Sequence, residues 1–280
     1  MTEIDKKSPP DFPHLHDIGL FYERLHAAAA RMNAIRPYVL EALGQVEGYD
    51  IFLLFPETPD PEKLSLLSAG GFHGEEPAGV WGILEYLETA TAAELTAVNH
   101  SFLPLVNPTG FAAGTRLNLY GENPNRSFVP ELISDNSEDI YKNRTEPSVE
   151  GKILVAHIDR LTALARDGFV TQHEDDGLNE GFIFLSEDAE QPSPFAEIFL
   201  TCLREHVGII KDGGADTLID PKLKNGIWHN DFDATFEGLL TRKGIPRVVT
   251  TETPCLKPAR ARIDCNRDMV RAFAAFRPAE

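Results

Sequence analysis

The fourteen residues from Leu64 to Pro77, LSLLSAGGFHGEEP, constrain this chain more than any other stretch. An apolar run short enough for one buried strand ends at Gly70-Gly71, where glycine permits backbone angles closed to other residues. His73 and Glu76 follow at once, and Pro77 suits the first position of a helix, where its missing N–H costs nothing. Val80, Ile83, Leu84 and Leu87 then recur at helical spacing. The pattern predicts a strand, a turn and a helix, with an imidazole and a carboxylate three residues apart in the turn. Two such groups can grip one side of a metal ion, and a third ligand from elsewhere would complete a catalytic zinc site. The same pair would also suit a histidine at a helix start, with Glu76 near the positive end of the helix dipole. The rest of the chain has to decide between them.

Further apolar segments alternate in type. His16 to Leu43 reads as one or two helices interrupted at Pro37, and Tyr49 to Phe55 as a buried strand. Ala92 to Asn99 reads as a short helix. Phe102 to Val106 is a second buried strand, ending in Asn107-Pro108-Thr109-Gly110 with the residues of a type I turn. Gly114 to Phe128 is a polar loop, and Pro130 to Glu150 is acidic and irregular. Lys152 to Arg166 has the period of a helix. Phe169 to Gln172 is a strand that runs straight into His173. Gly181 to Leu185 is another strand, Pro194 to Val207 a helix, and Gly213 to Gly244 is weakly patterned around Trp228, His229 and Phe232. Arg247 to Thr251 is a β-branched strand ending at Glu252, and Arg267 to Phe276 closes the chain as a helix. Alternation of this kind predicts an α/β fold, a largely parallel or mixed sheet covered on both faces.

His73, Asn107, His173 and Glu252 each fall at or just after the C-terminal end of a predicted buried strand. Open α/β sheets bind ligands outside those ends, near a change in strand order. His173 is the natural third ligand, with exposed Glu174-Asp175-Asp176-Gly177 beyond it. His100, His157, His206 and His229 are its competitors. His157 and His206 lie within helical patterns and suit packing or surface roles, whereas His229 stays open as a ligand. Glu252 is costly at the end of a buried strand unless it has partners or chemistry to perform. A base that deprotonates zinc-bound water needs such a setting, because partial burial lifts its pKa towards neutrality. Arg116 and the Asn125-Arg126 pair lie in the polar loop, where guanidinium groups would bind a carboxylate or a developing oxyanion. Their alternative role is to neutralise acidic neighbours.

Bulk properties narrow the partners. A formal charge of −18 over 280 residues argues against nucleic acid or an anionic membrane, since both need a basic face. Three cysteines without close spacing suit a reducing compartment. Met1 to Pro13 lacks the apolar core of a signal peptide, so a cytoplasmic protein is expected.

The ordered set His73-Gly74-Glu75-Glu76, Asn107-Pro108-Thr109-Gly110, Arg116-x-Asn118, Asn125-Arg126-Ser127-Phe128, His173 and Glu252 resembles the zinc carboxypeptidase family, in the broad sense of carboxypeptidase A-like enzymes. The resemblance implies a single α/β domain over residues 16–280, with a mixed, roughly eight-stranded sheet, preceded by a disordered segment over residues 1–15. It implies zinc held by His73, Glu76 and His173, and Arg116 polarising the scissile carbonyl. Asn125 and Arg126 would grip a terminal carboxylate, and Glu252 would act as general base and then acid. The substrate implied is a peptide or an N-acyl amino acid with a free carboxylate, because the related aspartoacylase and succinylglutamate desuccinylase branch shares the zinc triad, the Asn-Arg pair and the glutamate. The Asn-Pro-Thr-Gly turn and the long element before His73 lean towards a carboxypeptidase. A relative that binds peptide without cleaving it is the remaining reading, and the intact ligand set speaks against it. Two departures stand out. The family usually has an aspartate where Asn123 stands, orienting the first zinc histidine, and an uncharged amide makes that histidine a poorer donor. It also carries a mobile tyrosine before the base, and this chain has no tyrosine after Tyr141; Trp228 or His229 could replace it.

Overall fold

The computed structural model describes residues 12–132, 142–143, 145–187, 194–211, 223–229 and 233–277. Most of the expected N-terminal segment, and much of the acidic stretch between 130 and 150, lie outside these residues, as does Phe232. The described end of the N-terminal segment is packed: Phe12 lies against Trp81, whose indole N–H donates to the Leu15 carbonyl.

Helix α1 (Ile18–Ile35) starts at Asp17, whose side chain accepts the Leu20 N–H, and buries Phe21, Leu25, Ala28 and Met32. Beyond Pro37 the chain does not resume a helix, as the stripe through Val39 and Leu43 had suggested. It forms β1 (Tyr38–Val46), which pairs antiparallel with β2 (Tyr49–Pro56). Glu47 and Gly48 make the turn with φ of 51° and 81°, the two positive values that a tight hairpin requires. The misreading has a physical source, since residues four apart on a half-buried strand also share a face.

The central unit matches its pattern. Strand β3 (Ser65–Gly70) is buried throughout, and α2 (Pro77–Thr89) begins at Pro77. Helix α3 (Ala92–Ala97) stops before Asn99, which opens β4 (Asn99–Leu103). The Asn107-Pro108-Thr109-Gly110 segment is a helix start and not an isolated turn. Asn107 caps α4 (Pro108–Ala113) by accepting the Gly110 N–H at 2.8 Å. The helix expected over Lys152–Arg166 is two, α5 (Val149–Ala156) and α6 (Ile158–Leu164), broken at His157, whose Nε2 lies 3.1 Å from the Leu43 carbonyl of β1. After β5 (Gly168–Asp175), β6 (Phe182–Glu187) and α7 (Pro194–His206), the weakly patterned segment yields β7 (Leu223–Lys224), β8 (Ile227–His229) and α8 (Phe236–Arg242). Strand β9 (Arg247–Pro254) and helix α9 (Ala259–Ala275) end the fold.

The strands form one mixed nine-stranded sheet, one more than expected, in the order β1-β2-β4-β3-β5-β9-β6-β8-β7. Its centre, β4-β3-β5-β9, is parallel, and β2 and β6 flank it antiparallel. One face is covered by α1, α2, α7 and α9 around Trp81, Phe195, Phe199 and Phe273. The other carries α5, α6 and α8 around Leu154, Leu161, Phe236 and Leu240. From β3 the chain crosses to β4 on one side, and from β5 it continues towards β9 on the other. The gap between the C-terminal ends of β3 and β5 is therefore the switch point at which such sheets place ligands.

Candidate metal centre

His73 and Glu76 lie in the turn that leaves β3. Gly71, at φ 65°, starts that turn, and a Cβ there would stand 2.7 Å from Leu105 Cδ1 and 2.8 Å from Val80 Cγ2. Gly74 is more tightly constrained, because a Cβ on it would lie 1.9 Å from the Gly110 backbone. The turn thus rests directly on α4, and only glycine permits this approach. Glu76 immediately precedes Pro77 at the N-terminus of α2, and His73 and Glu76 are both buried.

His173 arrives about a hundred residues later on β5. Its Nδ1 lies 2.7 Å from Glu76 Oε2, and His73 Nδ1 lies 2.7 Å from Glu76 Oε1. One candidate ligand atom from each of the three residues falls within 4.8 Å of the others, and among the described residues this is the one such group. His100, His157 and His206 are engaged elsewhere, with Ser68, the Leu43 carbonyl and Asp268 respectively. His229 is exposed on β8, two strands beyond β9. Trp228, beside it, packs on Phe184.

The electrostatics follow from the enclosure. Burial drives His73 down to about 4 despite Glu76. Burial also opposes charge on His173, but Glu76 and Glu237 outweigh it and carry the imidazole up to about 10. Burial likewise pushes Glu76 up, yet the two imidazoles hold it well below the usual carboxylate range. A metal suits this set. Both Nδ1 atoms face the same carboxylate, whereas His73 Nε2 lies 3.2 Å from Asn123 Oδ1 and His173 Nε2, buried without a hydrogen bond, lies 3.5 Å from Glu237 Oε1. Two imidazoles and a carboxylate are the donors of a catalytic zinc site with one open position.

Glu252 stands in register with His173 on the adjacent parallel strand, so the two side chains leave the same face of the sheet. Burial raises its carboxyl to about 8, against the pull of His173. Arg116 is partly exposed at the rim, with Nη1 3.1 Å from Glu76 Oε1 and 3.8 Å from Glu75 Oε1. Its carbonyl accepts from Asn107 Nδ2 at 3.3 Å, which fixes the polar loop to the start of α4. Asn125 is buried and turned inward: its Oδ1 accepts the Phe236 N–H at 2.9 Å and its Nδ2 donates to Glu237 Oε2 at 3.0 Å. Arg126 is half-buried and donates to the Asn125 carbonyl. Asn123 Oδ1 lies 3.2 Å from His73 Nε2, the contact that the family resemblance implies for this position.

Two contributors escape the sequence reading: Glu174, expected to be exposed beyond His173, is buried within β5, and Glu237 is not singled out there. Glu174 points to the opposite face of β5 from His173, accepting the Ala78 N–H at 2.8 Å and pairing with Arg262. It ties β5 to the first turn of α2, the two elements that carry ligands. Glu237, in the first turn of α8, lies 3.5 Å from His173 Nε2. The Thr235 cap gave a signal for the helix, but not for the direction of this carboxylate.

Comparison with known proteins bears on the family and the fold. Residues 62–151 match the family profile of the succinylglutamate desuccinylase/aspartoacylase catalytic domain. No curated protein matches the chain by sequence. A candidate metallopeptidase from Shewanella baltica is 37% identical, with a TM-score of 0.81 over 93% of this chain and 92% of that one. Another, from Shewanella denitrificans, is 34% identical, with a TM-score of 0.81 over 93% and 90%. The fold extends to a metallo-carboxypeptidase from Burkholderia cenocepacia, at 19% identity and a TM-score of 0.63, covering 90% of this chain and 68% of that one. The chain belongs to the zinc carboxypeptidase-like family of hydrolases, which includes the succinylglutamate desuccinylase/aspartoacylase branch.

Proposed function

We propose that the protein is a zinc-dependent carboxypeptidase, which hydrolyses the amide bond next to a free terminal carboxylate. The observation that carries this reading is the meeting of His73, Glu76 and His173 around one point, with Glu252 beside His173 on the next strand. Zinc bound there would supply a Lewis acid that activates water and polarises a carbonyl. Glu252 takes the proton from the attacking water and returns it to the leaving nitrogen. Its raised pKa equips it for both steps, since a base matched to neutral pH is also a competent acid. Arg116, the exposed cation of the rim, stabilises charge developing on the carbonyl oxygen. Arg126 meets the substrate carboxylate, and Asn125, bonded through its side chain to the Phe236 N–H and to Glu237, anchors the loop from which that guanidinium projects.

A deacylase of N-acyl amino acids is the second reading, favoured by the family profile over residues 62–151. It uses the same triad and base, with Arg126 still meeting a substrate carboxylate. Metal analysis of the purified protein, paired with a panel of peptides and N-acyl amino acids, tests both. Stoichiometric zinc and release of C-terminal residues is the expected result. Turnover of N-acyl amino acids alone transfers the assignment to the deacylase. Metal-free protein that gains no activity with added zinc leaves a peptide-binding relative.

A further inference from the structure

Glu237 is 3% exposed and carries no obvious duty in its own helix, because α8 is already capped by Thr235, which accepts the Gly238 N–H. A carboxylate buried to this degree is costly unless it is paired. Thr171 Oγ1 donates to its Oε1 at 2.5 Å, and Asn125 Nδ2 donates to its Oε2 at 3.0 Å. Among the described residues its one ion-pair contact is His173 Nε2, at 3.5 Å. That nitrogen is the one left over when Nδ1 of the same ring faces Glu76. The corresponding Nε2 of His73 meets only the neutral Asn123 amide. The two candidate ligand histidines are thus backed differently, one by an amide and the other by a carboxylate.

We infer that Glu237 is a positioning residue for the metal centre: it fixes the ring and tautomer of His173 and makes that imidazole the stronger donor, offsetting the uncharged Asn123 behind His73. A carboxylate set against the outer N–H of a ligating histidine raises the basicity of the inner nitrogen and holds the ring on the metal, and at 3.5 Å Glu237 stands where a small ring movement completes that bond. The two threonine and asparagine contacts keep Glu237 from swinging away, so Thr171, two residues before His173, and Asn125 serve the same end. This inference rests on the zinc reading of the triad.

The test measures the zinc dissociation constant of the full chain by chelator competition. Glu237→Gln, nearly identical in shape, is expected to bind zinc about 10- to 100-fold more weakly. Adding Asn123→Asp to that variant places a carboxylate behind the other histidine, and is expected to recover about tenfold. A merely structural role for Glu237 would instead lower the stability of the zinc-free protein, which urea unfolding of Glu237→Gln in chelator reads. Should Glu237→Gln fail to fold, Thr171→Val removes the hydroxyl that steadies the carboxylate while keeping the side-chain shape, and a severalfold weaker affinity is expected. Wild-type affinity in Glu237→Gln or, failing its folding, in Thr171→Val overturns the inference, as does weakening that Asn123→Asp leaves untouched. Failure of the wild-type chain to take up zinc overturns the zinc reading itself, and is seen before any variant is made.

Discussion

Glu252 and His173 sit side by side on adjacent strands, and this adjacency separates two functions that single substitutions can resolve. Glu252→Gln keeps the shape of the base but removes its proton chemistry. A loss in kcat of about 10²- to 10⁴-fold is expected, with zinc content unchanged. His173→Ala should abolish stoichiometric zinc as well, because it removes a ligand. Equal zinc loss in both variants, measured by metal analysis, would contradict the division of roles. Most of the candidate residues were legible in the sequence, because each lies beside a glycine, a proline or the end of an apolar run that marks its place on a strand. His73, Glu76, His173 and Glu252 are of this kind. The orientation of Asn125 was not legible, since whether an amide faces a substrate or a neighbouring helix depends on where α8 packs. Glu237 was hidden for the same reason: nothing near it in the chain says that His173 will lie opposite.

At the scale of elements, the turn after β3 depends on contact between two backbones. Gly74→Ala would drive a methyl group into Gly110. The expected cost is about 1–3 kcal/mol or more, with displacement of His73 and loss of zinc affinity. A denaturation curve and a zinc titration on the variant check both. A second element-scale effect concerns His100 on β4, buried beside Ser68 and pushed by burial from 6.5 down to about 3. Its folded value lies below its unfolded one, so its contribution to stability is complete above pH 6.5 and is lost as pH falls towards 3. Between pH 6.5 and 5 this group alone removes about 2 kcal/mol. Urea unfolding at pH 7 and pH 5 should show that His100→Gln is less sensitive to acid than the wild type by about that amount. The elements that the sequence misassigned share a cause. Residues 38–46 and the break at His157 are set by tertiary partners, the β2 hairpin and the Leu43 carbonyl, and not by local period.

For the molecule as a whole, the charge of −18 coexists with a guanidinium at the rim of the site. The carboxylate substrate proposed above would approach against the general field and be captured only locally, so added salt should lower KM, as read in initial rates at increasing ionic strength. No helix among the described residues is long and apolar enough to cross a membrane. Zinc at a hundredfold excess over its dissociation constant should add about 2.7 kcal/mol to stability, a rise in melting temperature of about 5 °C that a chelator reverses.

The cross-stitching of α2 and β5 has one more consequence. Glu76 reaches from the helix side to His173, and Glu174 reaches back from the strand to Ala78. On the zinc reading a cation would be held fully only after these distant parts of the polypeptide have met, because a nascent chain that has not yet emerged through β5 carries two of the three ligands. Metal uptake during synthesis would then report the moment of long-range closure, and an ion added early would gain nothing over one added late.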